Sequence, residues 1–497
     1  MSAGPREYDA AVDAALAAAR AGGFSIIARI QDRDERQLSV FDGLVERQRS
    51  IRLTGVGIHA FTPDGSIGFA STDDLEPDAV REAVRLAGAL AEAANRLEAI
   101  RSRALFDLEG TGVVRLDAAA SDLVHVPARA AAQSMKAAQE ALGSVLTGPN
   151  RTVRTTLRSV HESWRIVRSD GTDIWMQTPR ASLRHEVSCR LERKIARAAG
   201  VVSGVTASSL LSDGSLDRLT RRTIRAGHDA ELSATATPPP TGPYRVVLRH
   251  ALAKGLAHEA IGHLCESDVD GSVLMRRGRL RLGERLARPT VSVVDGVLPG
   301  EYVQQPYSAN GIPRQTVALI DGGVLSAGLG DLFSASSAGV PISGACRVGS
   351  YRDRPTPRMT NIRIEFADAV PLDADPDDLT TDDVLAALRR AGLLDAGQPT
   401  LYLTGYRGGQ AHPRRGDFVF GADAAFDLRA GGAPCGPVSY SGLAERALAS
   451  IVAGIGPVCT DAIGTCGKDG SSVSSSGGSH ALLVLDADPD TIVSAAR

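Results

Sequence analysis

The chain has 497 residues, of which 43% are hydrophobic and 23% are charged, and its formal net charge is -3. This length exceeds one ordinary domain and is ample for buried cores. Because acidic residues are interspersed with the abundant arginines, no basic surface for nucleic acid is indicated. No apolar run has the length needed to span a bilayer, which argues against an integral membrane protein.

The N-terminus has the pattern of an Ala-rich amphipathic helix that closes at Gly22 and Gly23, and its acidic residues are not typical of a signal peptide. The cysteines are scattered and do not form a dense disulfide framework. They are Cys189, Cys265, Cys346, Cys435, Cys459 and Cys466. We therefore expect a cytoplasmic protein with reduced thiols and no membrane partner.

The first half of the chain predicts an α+β region. Strand-like runs over residues 24–72, broken by Asp-Gly turns, indicate an antiparallel meander, and residues 76–100 have helical spacing. A second unit follows, with a helix over 126–142 and alternating strands over 152–194 that turn at 169–171.

The proline-rich stretch "SATATPPPTGP" (233–243) is the clearest linker and predicts the main domain boundary. We expect an N-terminal α+β region over 1–237, which divides further into about 1–110 and 111–237, and a β-rich C-terminal domain over 243–497. In the latter, a strand over 244–250 precedes a helix-like segment. Further helices are predicted over 380–392 and 441–456.

"HEAIGH" (258–263) is one residue longer than the H-E-x-x-H zinc motif. On a regular α-helix residues i and i+5 lie about 140° apart, so His258 and His263 would not share a metal. A π-type bulge makes five residues roughly one turn and brings both rings to one side. Gly262 is the expected position of this distortion because glycine tolerates unusual backbone angles. The alternative is a buried helix whose histidines bond backbone groups.

A metal site also needs a third ligand. "GTCGKDGSS" (464–472) places Cys466 in a glycine-containing segment that we predict to be a loop, where Lys468 would favour the metal-binding thiolate. Glu266 and Asp268 are rival ligands, and Glu266 would instead suit a partner that orients a His ring. The alternative for Cys466 is an inert buried thiol.

These motifs resemble the TldD/PmbA family of metalloproteases. "LAHEAIGHLCESD" is similar to the family's metal-binding segment, and "RVGSYRDRPTPRMTNI", "GDFVFGADAAFDL" and "GTCGKDG" follow in the expected order. The resemblance covers nearly the whole chain and identifies it with the TldD-like subunit that carries H-E-x-x-x-H. It departs from the family after Cys466, where "SSVSSSGGSH" replaces a Gln followed by a Pro/Val/Gly run, so the substrate preference stays open.

The resemblance implies that His258, His263 and Cys466 hold Zn²⁺, and that Glu259 is the catalytic general base that activates a metal-bound water. The expected function is a zinc metallopeptidase that hydrolyses small or unfolded peptides. It also implies a dimer, either a homodimer or a heterodimer with a sister subunit that lacks the motif. The alternatives are a different metal-dependent amide hydrolase and a non-catalytic scaffold with a structural metal; iron or another transition metal would also suit these ligands.

Two histidines are candidates for auxiliary groups, and two arginines are candidates for peptide binding. His250 and His480 are isolated, which is typical of structural or solvated histidines. Arg354 and Arg358 either bind a carboxylate or backbone carbonyls of a peptide, or simply pack a loop.

Overall fold

The computed structural model describes residues 4–96, 104–145, 150–191, 194–395 and 397–496. Its strands form two large sheets, one built from residues 25–204 and the other from 245–495, with helices packed against both. The predicted α+β class is confirmed. The domain limits of 1–237 and 243–497 stay a prediction.

The first sheet is largely antiparallel, and its main path runs β3-β2-β1-β5-β6-β4, with β7 paired to β5 and β8 to β7. The long strands β1 and β2 form a hairpin whose turn residues, Asp42 and Gly43, have φ values of 44° and 77°. This is the geometry of a tight hairpin turn, and it confirms the predicted meander. The strands are β1 (Ser25–Phe41), β2 (Leu44–Phe61), β3 (Ile67–Thr72), β4 (Val113–Leu116), β5 (Arg151–Arg168), β6 (Asp173–Gln177), β7 (Arg180–Leu191) and β8 (Lys194–Gly204).

Helices cover the first sheet through faces rich in alanine. The first two share one hydrophobic cluster with β1 and β2, the third packs against β1, β5 and the fifth helix, and the fourth and fifth pack on β7 and β8. They are α1 (Asp9–Gly22), α2 (Pro77–Arg96), α3 (Ala128–Val145), α4 (Ala207–Leu210) and α5 (Asp213–Thr235). The predicted end of the second helix, residues 97–100, lies outside the described residues.

The second sheet is centred on one long strand, β24. Its neighbours are β17, β9, β22 and β23, so residues from widely separated parts of the chain meet there. Beside this sheet lie two short hairpins, β10-β11 and β15-β16. The strands are β9 (Arg245–Arg249), β10 (Met275–Arg276), β11 (Arg279–Leu280), β12 (Val291–Gly296), β13 (Val317–Asp321), β14 (Val324–Leu325), β15 (Cys346–Arg347), β16 (Thr356–Pro357), β17 (Asn361–Phe366), β18 (Thr400–His412), β19 (Asp417–Asp427), β20 (Ala433–Cys435), β21 (Val438–Leu443), β22 (Ile451–Cys459), β23 (Gly464–Lys468), β24 (Ser471–Leu485) and β25 (Thr491–Ala495).

The C-terminal helices are α6 (His250–Ala257), α7 (Ala335–Ala338), α8 (Thr381–Arg390) and α9 (Ala444–Ala449). The helix predicted over 380–392 is confirmed, and a capping box between Thr380 and Asp383 begins it. The helix predicted over 441–456 is correct only for Ala444–Ala449, because Ser441–Leu443 end β21 and residues from Ile451 form β22. A short apolar run does not by itself distinguish a buried strand from a helix, and here pairing with β24 decides.

The helix α6 follows β9 directly and is buried against β24, β18 and β17. Leu252, Leu256 and Ala257 are fully buried in the largest hydrophobic cluster. This position carries the next segment, "HEAIGH", into the interior of the second half. No helix in the described ranges is both long and apolar enough to cross a membrane.

Candidate metal centre

The helix widens where the spacing predicts. Residues His258–Gly262 form a π-helical turn, followed by a 3₁₀ turn at His263–Cys265. The ring centroids of His258 and His263 lie 4.9 Å apart, with their planes at 89°. The prediction that both rings lie on one side of a widened helix is therefore confirmed.

Gly262 is required for a different reason from the one predicted. Its φ and ψ are both -54°, which any residue adopts in a helix. A Cβ at this position would instead lie 1.8 Å from Sδ of Met359 and 3.0 Å from Cδ1 of Ile362. Close packing against β17 and the segment before it, rather than backbone strain, excludes a side chain here.

The third donor comes from a distant strand. Nitrogen atoms of His258 and His263 and Sγ of Cys466 all lie within 4.8 Å of one another. Nε2 of His263 is 3.5 Å from Sγ. Two ligands of a tetrahedral zinc, one nitrogen and one sulfur, are about 3.5 Å apart at normal bond lengths. The donor types of all three side chains, and the spacing of His263 and Cys466, therefore suit a zinc ion.

Cys466 lies on a strand, so its predicted loop is wrong. It belongs to β23, where it pairs with Val473 of β24, and the intervening turn contains Asp469 and Gly470 at φ values of 50° and 79°. This Asp-Gly turn is a hairpin signal that was present in the sequence. The thiol is buried, with 1% exposure, and is held by backbone pairing.

Glu266 contacts a candidate ligand, His263, and is not one of the three converging donors. Its carboxylate is fully buried and accepts a hydrogen bond from Nδ1 of His263 at 3.1 Å. Lys468 donates to Glu266 at 2.9 Å and also bonds Asp268. Carboxylates in this position orient a ligating ring and fix which nitrogen faces the metal. Of the predicted alternatives, Glu266 and Asp268 thus lie behind His263 and form a charged network with Lys468.

The charges in this network change the pKa values of His263 and Cys466, whose Nε2 and Sγ atoms face each other. Burial opposes ionisation of Cys466, but the hydrogen bond and charge of His263, helped by Arg358, lower the pKa of the thiol. Burial likewise opposes a charged imidazole, yet Glu266 and Cys466 raise the pKa of His263 well above its ordinary value. The thiolate that metals require is therefore favoured here. The cause is His263, whereas the sequence had suggested Lys468.

His258 is also buried, at 4% exposure, and burial lowers its pKa well below the ordinary value. Its Nδ1 has no hydrogen-bond partner among the described residues. The alternative in which both rings bond backbone groups does not match this ring. A neutral imidazole is the form that ligates a metal.

Glu259 directly follows His258 in the π turn, and its side chain lies near a cleft. Burial raises the pKa of its carboxyl, as is common for a general base. A Cβ on Gly409 would be 3.1 Å from Cγ of Glu259 and 3.1 Å from the hydroxyl of Tyr406. Tyr406 lines a cleft between the β7-β8 part of the first sheet and α6, so the side chain of Glu259 lies near that cleft.

The remaining sequence candidates fall in different places. His480 is structural: its Nδ1 donates to the carbonyl of Gly456, and its Nε2 accepts from the N–H of Phe366. His250 lies 3.6 Å from Asp461. Arg358 is buried and donates to the carbonyl of Cys466, whereas Arg354 is exposed.

Two family models match the chain. The model described as "PmbA/TldA metallopeptidase C-terminal domain" matches residues 241–462, and "PmbA/TldA metallopeptidase domain 1" matches residues 28–91. Together they cover more than half of the chain, including the π turn. The chain belongs to the PmbA/TldD family. It is accordingly a metallopeptidase.

Relatives extend this likeness over the length of the chain. A metalloprotease of Methanothermobacter thermautotrophicus is 28% identical over 92% of this chain and 96% of its own. A zinc metalloprotease TldD homolog of Saccharolobus solfataricus is 30% identical over 26% of this chain and 29% of its own. The crystal structure of TldE from Thermococcus kodakarensis has a TM-score of 0.71 at 13% identity, over 97% of this chain and 99% of the other. That identity shows a shared fold only.

Proposed function

We propose that this PmbA/TldD family member is a zinc peptidase that hydrolyses small or unfolded peptides. In this proposal His258, His263 and Cys466 hold the zinc ion, and Glu259 is the general base. The observation that carries it is the convergence of two His nitrogens and one Cys sulfur within 4.8 Å, beside a buried carboxylate.

Zinc suits this ligand set better than a hard cation because imidazole and thiolate are borderline or soft donors. The word zinc in the name of the Saccharolobus relative gives further support. A zinc ion held there would supply a Lewis acid that polarises the scissile carbonyl and lowers the pKa of a water.

The chain's own residues supply the proton transfer. Glu259 follows His258 directly, so the turn that positions the ligand also positions the base. Its carboxylate would take a proton from the attacking water and pass it to the leaving amine. Because burial raises its pKa, it holds that proton more readily than an exposed glutamate would.

The test is substitution of the base with its amide. Glu259→Gln should retain about one zinc per chain, measured by elemental analysis, while kcat for peptide hydrolysis falls by about 10²- to 10⁴-fold. Glu284→Gln, at a half-exposed residue paired with Arg281, is the matched control and should cleave normally. Unchanged cleavage by Glu259→Gln would refute the assignment of the base.

The two alternatives give different outcomes in the same assay. A different amide hydrolase would show chelator-sensitive turnover of other amides but none of a peptide library. A scaffold with a structural metal would bind zinc and turn over neither. Either result from the wild-type chain overturns the peptidase proposal.

We also propose that the chain acts as a dimer in the cytoplasm. Its fold likeness to TldE supports a sister subunit, and a homodimer is the alternative. All six cysteines are free, in agreement with a reducing compartment. Purification from the native host, followed by mass measurement of the intact assembly, distinguishes the two dimers.

A further inference from the structure

Lys254 is a buried cation beside the proposed metal site. The chain has 55 basic residues, of which only four are lysines. Two of these four, Lys254 and Lys468, lie near the metal ligands. Lys254 is one helical turn before His258 on α6 and is 5% exposed.

The two lysines differ in their partners. Lys468 is paired with both Glu266 and Asp268. Nζ of Lys254 donates to Oγ of Ser475 at 3.0 Å, and in the part of the chain that the structure describes no carboxylate oxygen lies within 4.0 Å of it. An ammonium group has three donors, and a hydroxyl does not neutralise its charge.

A buried cation without a counter-ion is costly to the fold. Burial lowers the pKa of Lys254, and the charges of Cys466 and Glu259 oppose this only in part. Such an arrangement persists where the charge serves binding or catalysis rather than stability. The free donors of Lys254 therefore suit an anion that arrives from outside the protein.

Lys254 is accessible to such an anion because it lines a cleft. Lys254 lines a cleft of about 1100 Å³ between the β7-β8 part of the first sheet and the segment formed by α6 and β18. Six arginines join it in the lining, against four carboxylates, so the cleft carries an excess of three positive charges. A cleft lined mainly by one sign of charge concentrates ligands of the opposite sign.

The same cleft passes near the proposed base, which is not itself a lining residue. Tyr406 lines it, and the hydroxyl of Tyr406 and the side chain of Glu259 both lie beside Gly409. Lys254 and Glu259 are thus close to the same end of the cleft. Ser475 is fully buried, so it is placed to hold the lysine rather than to contact a ligand.

We propose that Lys254 binds a carboxylate of the substrate and makes this enzyme selective for peptides with a negative charge close to the scissile bond. The carboxylate is either the peptide's own C-terminus or an Asp or Glu side chain. This inference rests on the proposed peptidase function and adds a substrate class to it.

The experiment compares matched peptides on the zinc-loaded full-length protein. One pair differs only in a C-terminal acid or amide, and the other only in Glu or Gln at one internal position. The wild type should prefer the charged member of at least one pair by about 10- to 100-fold in kcat/KM, the range of a charge-assisted hydrogen bond. The pair that shows the preference identifies the source of the carboxylate.

Lys254→Met removes the charge and keeps a long apolar side chain. Its preference, the ratio of kcat/KM between the charged and the neutral member of a pair, should shrink to within about twofold. Lys136→Met, on α3 of the other half, is the control and should keep the full preference. Zinc content and melting temperature establish that each variant is folded.

The results separate this inference from the function beneath it. Equal cleavage of charged and neutral peptides by the wild type overturns the role of Lys254 and leaves the peptidase proposal intact. An equal fall in kcat/KM for the charged and the neutral member of a pair in Lys254→Met also overturns the role of Lys254, since a contact with the carboxylate affects the charged member only. Absence of cleavage of all four peptides by the wild type overturns both proposals.

Discussion

Replacement of Glu266 by Gln tests whether the hydrogen-bond partner of His263 sets the affinity of the proposed site for metal. The fully buried carboxylate accepts from Nδ1 of His263 at 3.1 Å and from Nζ of Lys468 at 2.9 Å. Gln has nearly the same shape and keeps one acceptor oxygen. It loses the charge, and its NH₂ group cannot accept from Lys468.

The expected losses of metal affinity and of folding stability follow from these two contacts. Loss of the outer partner of a ligating His weakens metal binding by about 10- to 100-fold, which is about 1.4 to 2.7 kcal/mol. Removal of one partner of a buried ion pair costs about 3 to 5 kcal/mol of folding stability. Because Asp268 remains as a partner of Lys468, we expect the lower end of that range.

The assay is a zinc competition titration with a chromogenic chelator, together with melting temperatures with and without zinc. Glu445→Gln is the control, because Glu445 forms a partly exposed pair with Arg281. An exposed pair of this kind contributes less than about 1 kcal/mol, and its loss should leave zinc affinity unchanged. The same zinc affinity in Glu266→Gln and wild type would refute the role given to Glu266.

Two further predictions concern packing and acid stability. Gly262→Ala should destabilise the protein by about 1 to 3 kcal/mol, because its Cβ would overlap Met359. Met359→Ala should cost less stability in the Gly262→Ala variant than in the wild type, and melting-temperature losses that simply add in the double variant would contradict this. His185 is buried against Thr155, and burial lowers its pKa to about 4. The imidazole of His185 takes up a proton near pH 6.5 in the unfolded chain but only near pH 4 in the folded chain. The free energy of unfolding should therefore fall by about 1.4 kcal/mol for each unit that the pH is lowered between those values. His185→Gln should flatten that part of the melting-temperature profile, and an unchanged profile would exclude the effect.

The shape of the proposed metal site was largely predictable, because one geometric requirement on the helix was enough. Two histidines five residues apart face one ion only if the helix widens, and the structure has that π turn at His258–Gly262. The reason for Gly262 was not predictable. It depends on Met359, which lies nearly a hundred residues away and approaches only in the folded chain.

Strand pairing was the least predictable feature of the C-terminal half. The segment around Cys466 is polar and rich in glycine, which is typical of loops, yet it forms β23 against β24. Its Asp469-Gly470 turn was a local signal, but the partner strand is Ser-rich and lacks the usual apolar alternation. Lys254 gave no signal at all, since a single lysine in an apolar helix usually extends to solvent.

The Ser-rich stretch after Cys466, residues 471–480, has two physical roles in the structure. Gly477 and Gly478 have no room for a side chain, because a Cβ would lie 1.8 Å from the carbonyl oxygen of Ile362 and 1.6 Å from that of Cys459. Ser475, just before them, is the partner of Lys254. The stretch thus combines two tasks, close packing of the central strand and support of a buried cation at the end of the cleft. If Lys254 selects carboxylates, a change at Ser475 alters the substrate without replacing a proposed metal ligand, since Ser475 lies on β24 and Cys466 on β23.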